Sequence, residues 1–218
     1  MKPDNVKRRF DGLPDAQRRA YAVAKQPAIE AISARHMPRL REKMATVLRE
    51  RAQPDSAKTR ALYDAVAPLT RDLAQHAQCG KGCSHCCHIA VAINQAEADL
   101  IARKTGLKPV TPANRMMEGR ERFAEAVPLG YDNPCPFLAD NQCSIYDVRP
   151  LACRMHFNLD VCADLCTLDN NRPVLLYGNP EIDGLGIMAG GGPYKVVIAD
   201  IREFFPQGTC HADDQNPG

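Results

Sequence analysis

Cysteine is the residue type in this chain whose number and spacing could do chemistry. The chain has ten cysteines, all between Cys79 and Cys210. The densest group, CGKGCSHCCH over residues 79–88, places four of them within nine positions. Its two glycines let the backbone turn so that several sulfurs can converge on one metal, about 2.3 Å from each. Cys86 and Cys87 are adjacent and their side chains diverge in most conformations, so one of them is expected to serve a second metal or to pack.

A second group of cysteines follows 48 residues after Cys87. Cys135, Cys143 and Cys153 lie in turn-rich sequence, as expected for a loop region that folds around a metal. Four thiolates around a divalent ion leave a formal charge of about −2. Arg149 and Arg154 lie in this segment, where a guanidinium would offset that charge.

The compartment decides whether these sulfurs are thiols or disulfides. Residues 1–9 carry charges with no apolar segment behind them, and no apolar run approaches the ~18–20 residues that cross a bilayer. We therefore expect a cytoplasmic protein with no membrane span. In that reducing compartment cysteines persist as metal ligands or catalytic groups rather than as disulfides.

Three cysteine motifs, in this order, resemble the YkgJ-type cysteine-cluster family, whose members are described as zinc- or iron-chelating domain proteins. The motifs are CSHCC at 83–87, CPFL at 135–138 and CSIYDVRPLACR at 143–154. The resemblance covers about residues 79–156 and includes VAINQAE at 91–97, which is similar to the family's short extended piece before a helix. The chain departs from the family at the three-residue gap after Cys79, where two residues are more usual, and after Cys153.

The spacing and the resemblance together predict a metal-ligand set of nine cysteines. They are Cys79, Cys83, Cys86, Cys87, Cys135, Cys143, Cys153, Cys162 and Cys166. Which of Cys162 and Cys166 ligates stays open, because the segment after Cys153 resembles the family less. Cys210 stands beside an acidic tail and is predicted to be a free thiol. His85, His88 and His156 are predicted to be polar neighbours of the site, because the cysteines already exceed the four positions of one metal.

The spacing alone does not decide the metal. The unevenly spaced Cys79, Cys83 and Cys86 lack the paired two-residue knuckles of structural zinc, and Cys135-Pro136 resembles iron–sulfur proteins, in which a ligating cysteine can precede proline. This favours an iron–sulfur cluster slightly over zinc, since thiolates suit both. The same spacing occurs in the radical S-adenosylmethionine triad, but no run of alternating strands and helices follows Cys87.

Charge divides the chain near residue 78. Residues 1–78 carry 16 Lys and Arg against 9 Asp and Glu, whereas residues 79–218 carry 12 against 17. All the cysteines lie in the second, acidic part. We therefore expect a basic helical extension over 1–78 and a cysteine-cluster metal-binding domain over 79–218, with its best-defined core at 79–166.

The basic extension has the apolar spacing of two helices. One face over residues 28–52 holds Ile29, Ile32, Leu40, Met44, Val47 and Leu48, and a second helix, capped by Asp55 or Ser56, would bury Leu62, Val66, Leu69 and Leu73. Pro38 and Pro68 are expected to kink or divide these helices.

The predicted fold class is mainly α with little β: a helical N-terminal hairpin packed on a loop-rich, metal-stapled cysteine-cluster core. Asn94 and Glu97 have capping-box spacing. The glycine-rich residues 184–192 are expected to form a flexible loop, and residues 194–199 a short strand or the start of a last helix.

The leading functional hypothesis is a metal-binding protein whose metal is mainly structural or redox-active. No Ser/His/Asp arrangement or paired carboxylate is apparent, so enzymatic activity stays undecided. The resemblance extends to a flagellin lysine-N-methylase with a similar cysteine domain, which makes protein lysine methylation the runner-up. A third alternative is an adaptor that binds an acidic protein partner through residues 1–78. Nucleic acid is not the expected partner, because Glu42 and Glu50 interrupt the basic surface.

Overall fold

The computed structural model describes residues 15–80, 82–112, 130–168, 174–193 and 196–206. Its α-helices are α1 (Asp15–Arg49), α2 (Asp55–Ala74), α3 (Gln95–Thr105), α4 (Leu151–Met155), α5 (Pro180–Ala189) and α6 (Ile201–Phe204). Its strands are β1 (Ala92–Asn94), β2 (Leu138–Ala139), β3 (Gln142–Cys143) and β4 (Ile198–Asp200), and short 3-10 turns cover His85–His88, Tyr146–Val148 and Ala163–Cys166. The prediction of a mainly α fold with little β is confirmed. None of the helices in the described ranges combines the length and apolar character that crossing a bilayer needs.

Helices α1 and α2 form the predicted hairpin. Its buried face includes Ile29, Ile32, Leu40 and Met44 of α1 and Leu62, Val66, Leu69 and Leu73 of α2. His36 of α1 lies 2.7 Å from the Asp72 carboxylate near the end of α2, so the two helices run antiparallel. The 3.6-residue periodicity therefore predicted this interface correctly.

Two details of the hairpin differ from the prediction. Helix α1 starts at Asp15 and continues through Pro27 and Pro38, and α2 continues through Pro68, so the predicted division at these prolines is wrong. A proline removes one backbone donor, and in these long helices the buried apolar face outweighs that loss. The predicted cap is also wrong, because Pro54 is the N-cap of α2 and no side chain caps this helix.

The hairpin packs on the cysteine-bearing part of the chain. Its apolar face shares one core with Leu100 of α3, Leu151 and Met155 of α4, and Ile182 of α5. Near the start of α1, Arg18 forms a buried ion pair with Asp160, with Nη2 2.7 Å from Oδ2. Two basic residues of α1 also pair within the chain: Arg41 with Glu181 and Arg35 with Asp72.

A second core lies beneath a small sheet. Strand β1 pairs antiparallel with β4, with Ala92 opposite Asp200 and Asn94 opposite Ile198. Residues 198–200 are therefore a strand, and α6 follows with a capping box made by Asp200 and Glu203. The predicted capping box of Asn94 and Glu97 at the start of α3 is confirmed. This core contains Ile93, Ile101, Phe137, Ile145 and Phe204.

The predicted flexible loop over residues 184–192 is wrong, because Pro180–Ala189 form α5. The Asn179 side chain caps this helix by accepting hydrogen bonds from the backbone N–H groups of Glu181 and Ile182. Gly186 faces α4, and a Cβ added there would lie 2.7 Å from Leu151 Cδ2. This glycine therefore allows α5 to approach the helix that carries Cys153.

Two substitutions in α5 should have opposite effects on stability. Gly186→Ala should lower the free energy of unfolding by about 1–3 kcal/mol, because the added methyl overpacks against Leu151. Gly184→Ala should raise it by roughly 0.5–1 kcal/mol, because nothing lies within 4 Å of the added Cβ and alanine favours helix. Urea denaturation of both variants measures the difference, and equal effects would contradict the close packing of α5 on α4.

Candidate metal centre

All nine cysteines that the structure describes are free thiols. Cys135 and Cys162 are buried and the other seven are half-buried. Cys210 lies outside the described residues. The nine thiols come from the predicted segments, and hydrogen bonds join some of these segments.

Asn158 donates hydrogen bonds to the thiols of Cys79 and Cys166, which, with Cys83 from the same loop as Cys79, we name the Asn158 group. Its backbone N–H donates to Cys79 Sγ at 3.3 Å, and its side-chain amide donates to Cys166 Sγ at 3.2 Å. The same amide donates to the Cys162 carbonyl at 2.8 Å. Asn158 is completely buried, and its backbone and side chain together hold two sulfurs from separate segments. The sequence analysis missed it, because a lone asparagine after α4 carries no local signal.

A second group, which we name the hairpin group, consists of Cys135, Cys143 and Cys153. Cys143 ends the two-stranded β2–β3 hairpin, and Cys153 lies on α4. All three contribute to the second core, which Cys87 also contacts. The backbone N–H of Cys135 donates to the Cys87 carbonyl at 2.6 Å, which joins the two predicted cysteine segments.

Cys86 lies in a short turn beside Cys87. It is in the 3-10 turn His85–His88, which contacts the turn Ala163–Cys166. A hydrogen bond with Cys87 and burial raise the pKa of Cys86 well above its usual range. The charge of Cys86 in turn raises the pKa values of thiols in both groups, namely Cys79, Cys83, Cys166, Cys143 and Cys153.

Burial keeps these thiols protonated when no cation is bound. It raises the pKa of Cys135 to about 11 and, together with the charges of neighbouring thiols, the pKa of Cys166 to about 12. Thiolates are the form that binds metal, so a bound cation must displace the protons. The donor set therefore fits a thiophilic metal ion, whose charge would stabilise several buried thiolates at once.

Arg149 supplies a fixed positive charge beside the thiols. Its guanidinium acts to lower the pKa values of Cys79, Cys86, Cys143 and Cys153, although burial and neighbouring groups raise each of them on balance. Its Nε is buried without a hydrogen-bond partner among the described residues. The guanidinium stacks on the ring of Tyr146 at 4.2 Å. This arrangement agrees with the predicted use of Arg149 to offset thiolate charge.

Arg149→Met should therefore weaken metal binding by about 10–100-fold, the usual effect of removing a group that supports metal ligands. Arg149→Lys keeps the charge and should retain most of the affinity. Competition with a chromophoric chelator measures both variants. Equal affinities for Arg149→Met and the unmodified protein would show that this charge does not act on the metal.

Arg202 connects the segments that carry the thiols, and the sequence analysis missed it. Its guanidinium donates to the carbonyls of Cys87, Ile89 and Asn133 at 3.1, 3.2 and 2.9 Å. It also pairs with Asp200 at 3.0 Å. Both side chains are nearly inaccessible to solvent. The signal that could have identified it is a charged pair within the apolar run 196–205.

Glu97 connects the same region to the hairpin of α1 and α2. Its Oε1 accepts hydrogen bonds from Tyr63 Oη at 2.9 Å and from the backbone N–H of Leu151 at 2.7 Å. Its Oε2 accepts from the N–H of Asn94 at 3.0 Å. Burial raises the pKa of Glu97. The carboxylate thus fixes the start of α4, two residues before Cys153, against α2.

The candidate histidines border the thiols. The His88 ring lies 5.0 Å from that of Tyr131, and its Nδ1 is buried without a partner among the described residues. Burial lowers the pKa of His156, whose carbonyl lies 3.7 Å from Cys79 Sγ. In the described ranges no three His, Cys, Asp or Glu side chains stand in an arrangement that would hold a metal ion as they are.

Comparison with known proteins agrees with this donor set. A family model, CxxCxxCC, described as "Putative zinc- or iron-chelating domain", matches residues 78–175. No curated protein and no solved structure matches the chain. The matched residues include all nine described cysteines, and the match is consistent with the resemblance to the YkgJ-type proteins. Residues 78–175 of the chain are therefore similar to the CxxCxxCC family of zinc- or iron-chelating domains.

Proposed function

We propose that this protein binds zinc or iron through its cysteine thiols in a reducing, cytoplasmic setting, and that the metal is mainly structural. One observation carries the proposal: free thiols from separate segments are tied to one another where regular structure is sparse, Cys79 and Cys166 through Asn158, and Cys135 to Cys87 through a backbone hydrogen bond. The β2–β3 hairpin has only two residues in each strand, and the turns at 85–88 and 163–166 are single 3-10 turns. Such segments need a further interaction to hold them together.

A bound metal would supply that interaction. A structural metal contributes folding free energy directly, on the order of 10 kcal/mol for closed thiolate sites. The residues that would hold it are the thiols of the Asn158 group and the hairpin group together with Cys86. Arg149 would offset part of their negative charge.

Elemental analysis and an absorption spectrum of anaerobically purified protein test this function. We expect at least one equivalent of zinc or iron. Visible absorption together with acid-labile sulfide would identify an iron–sulfur cluster, whereas a zinc site does not absorb visible light. Less than one equivalent of metal, with a fold that survives a strong chelator, would overturn the proposal.

Hydrogen exchange shows where the metal acts. Chelation should speed exchange over residues 79–88, 130–168 and 196–206, because these segments meet at the thiols. Exchange in the middle of α1 and α2 should change much less, because that interface is apolar. Uniform acceleration over both regions would contradict a local structural role.

A further inference from the structure

The first part of helix α1 contacts the loop that follows α4. Two basic side chains of α1, Arg18 and Lys25, lie seven residues apart and therefore on one face of the helix. Both donate hydrogen bonds to this loop, Arg18 to the Asp160 carboxylate and Lys25 to the Leu159 carbonyl. Because the family match begins at residue 78, these contacts come from a part of the chain that carries no cysteine motif.

Arg18 holds Asp160 at two points. Its Nε donates to Oδ1 at 3.2 Å and its Nη2 donates to Oδ2 at 2.7 Å. A two-point pair between a guanidinium and a carboxylate fixes direction as well as distance. The side chains are only 4% and 0% exposed, so separating them would leave each charge buried without its partner. Asp160 is therefore held in one place relative to α1.

The Asp160 backbone sets the orientation of the Asn158 side chain. Its N–H donates to Asn158 Oδ1 at 2.7 Å. The amide nitrogen of Asn158 donates to the Cys162 carbonyl and to Cys166 Sγ. With the amide turned over, two N–H groups would face each other and the amide oxygen would face a carbonyl, so only this orientation satisfies all three contacts. The position of Asp160 therefore decides how Asn158 meets the Cys166 sulfur.

Lys25 holds the backbone on both sides of the contact between Asn158 and Cys79. Its Nζ donates to the carbonyls of His76 at 2.8 Å and Leu159 at 3.0 Å. His76 comes three residues before Cys79, and Leu159 directly follows Asn158. The two segments whose meeting brings the Asn158 N–H to Cys79 Sγ are thus bound to one ammonium group.

We propose that Arg18 and Lys25 are positioning residues of the candidate metal centre. They hold residues 158–160 in place, and Asn158 in turn holds the sulfurs of Cys79 and Cys166. This inference rests on the proposed metal-binding function and adds α1 to the parts of the chain that serve it. Ligands that are held in place before the ion arrives reduce the ordering cost of binding. The contacts from α1 therefore favour metal binding at a distance from the sulfurs.

Labelling of individual thiols in the full-length protein, as purified and without air, tests the proposal. A pulse of iodoacetamide followed by peptide mass spectrometry gives a rate for each cysteine. Arg18→Met should raise the rates at Cys79 and Cys166 by about 5-fold relative to Cys143, the factor expected from the loss of one average hydrogen bond. Lys25→Met should raise the same ratios, whereas Lys25→Arg keeps a donor and should retain the ratios of the unmodified protein.

Chelator competition on the same variants gives a second measurement. Arg18→Met should weaken metal binding by about 10-fold, as expected when a group that supports the ligands is removed. Arg41→Met is the matched control, because Arg41 makes the same kind of two-point pair from α1, at 2.6 and 2.7 Å, but with Glu181 of α5. This control should leave the labelling ratios and the metal affinity unchanged.

A further control separates positioning from a general loss of stability. Met44→Ala opens a cavity in the apolar core, roughly 39 Å along α1 from Arg18 at 1.5 Å per residue. It lowers the stability of the whole fold and should therefore raise the labelling rates of all thiols by one factor. The ratios between thiols should not change in this variant.

The outcomes separate this inference from the proposed function. A rise by one common factor in Arg18→Met and Lys25→Met, or a metal affinity of Arg18→Met equal to that of Arg41→Met, overturns the positioning role and leaves metal binding intact. Less than one metal equivalent, with a fold that survives a strong chelator, defeats the proposed function, and the labelling ratios then still test the contacts from α1. If Arg18→Met does not fold, the ratios of Lys25→Met and Lys25→Arg decide.

Discussion

Cys153→Ser should lose bound metal and a large part of the stability of the cysteine region, whereas Cys210→Ser should lose neither. A serine hydroxyl stays protonated at neutral pH, so the variant lacks one anionic ligand at a position on α4 that packs against the second core. Metal binding to thiolate sites is worth on the order of 10 kcal/mol, and most of that free energy is lost when a site opens. We therefore expect lower metal content and a chelator-insensitive, lowered melting temperature.

Elemental analysis and thermal unfolding with and without chelator measure this effect. Cys210→Ser is the matched control, because it makes the same chemical change at a cysteine beyond the family match. Cys143→Ser should behave like Cys153→Ser. Equal metal content in all three variants would show that these cysteines are not ligands.

Arg202→Met should lower the free energy of unfolding by about 3–5 kcal/mol, because it leaves the buried Asp200 carboxylate without its ion pair. It also removes the donor to the carbonyls of Cys87 and Asn133. Since these carbonyls belong to the segments that carry Cys86 and Cys135, metal affinity should fall together with stability. Urea denaturation and the chelator competition measure the two effects separately.

Two further variants show whether the effect comes from the unpaired charge. Arg202→Met combined with Asp200→Asn removes that charge and keeps a residue suited to the N-cap of α6, so it should recover part of the lost stability. Arg103→Met removes an exposed arginine from α3 and should change stability by less than about 0.5 kcal/mol. A similar small loss for Arg202→Met would contradict the role of the Arg202–Asp200 pair.

Local patterns predicted a large part of the fold. The buried faces of α1 and α2 follow from apolar periodicity, and the capping box of Asn94 and Glu97 follows from three-residue spacing. The turn in the β2–β3 hairpin follows from its residues, because Asp140 and Asn141 both have positive φ and these residue types tolerate that conformation. In each case the residues that decide the structure are close in sequence.

Long-range contacts explain what the sequence did not predict. Gly186 lies in a helix rather than a loop, and this helix, α5, packs on Leu151 of α4. Pro38 stays within α1 because the apolar face of that helix is buried against α2. The arrangement of the cysteine segments depends on Asn158 and Arg202. Asn158 bonds to Cys79 and Arg202 bonds to the Asn133 carbonyl, and in each case more than 40 residues separate the two partners. The nine-cysteine ligand set stays a prediction, and the metal content of the Cys→Ser variants is its direct test.

The pairing of β1 with β4 has a consequence for the order of events during synthesis. The two strands that close the second core are separated by roughly 100 residues, and Arg202 follows immediately after β4. A nascent chain therefore exposes Cys79 to Cys166 to the cell before the residues that fix Cys87 and Cys135 have been made. Metal binding by an emerging chain would begin while the thiols can still bind the ion in combinations that the folded protein does not use. The final metal geometry must then be set after β4 and Arg202 have been made.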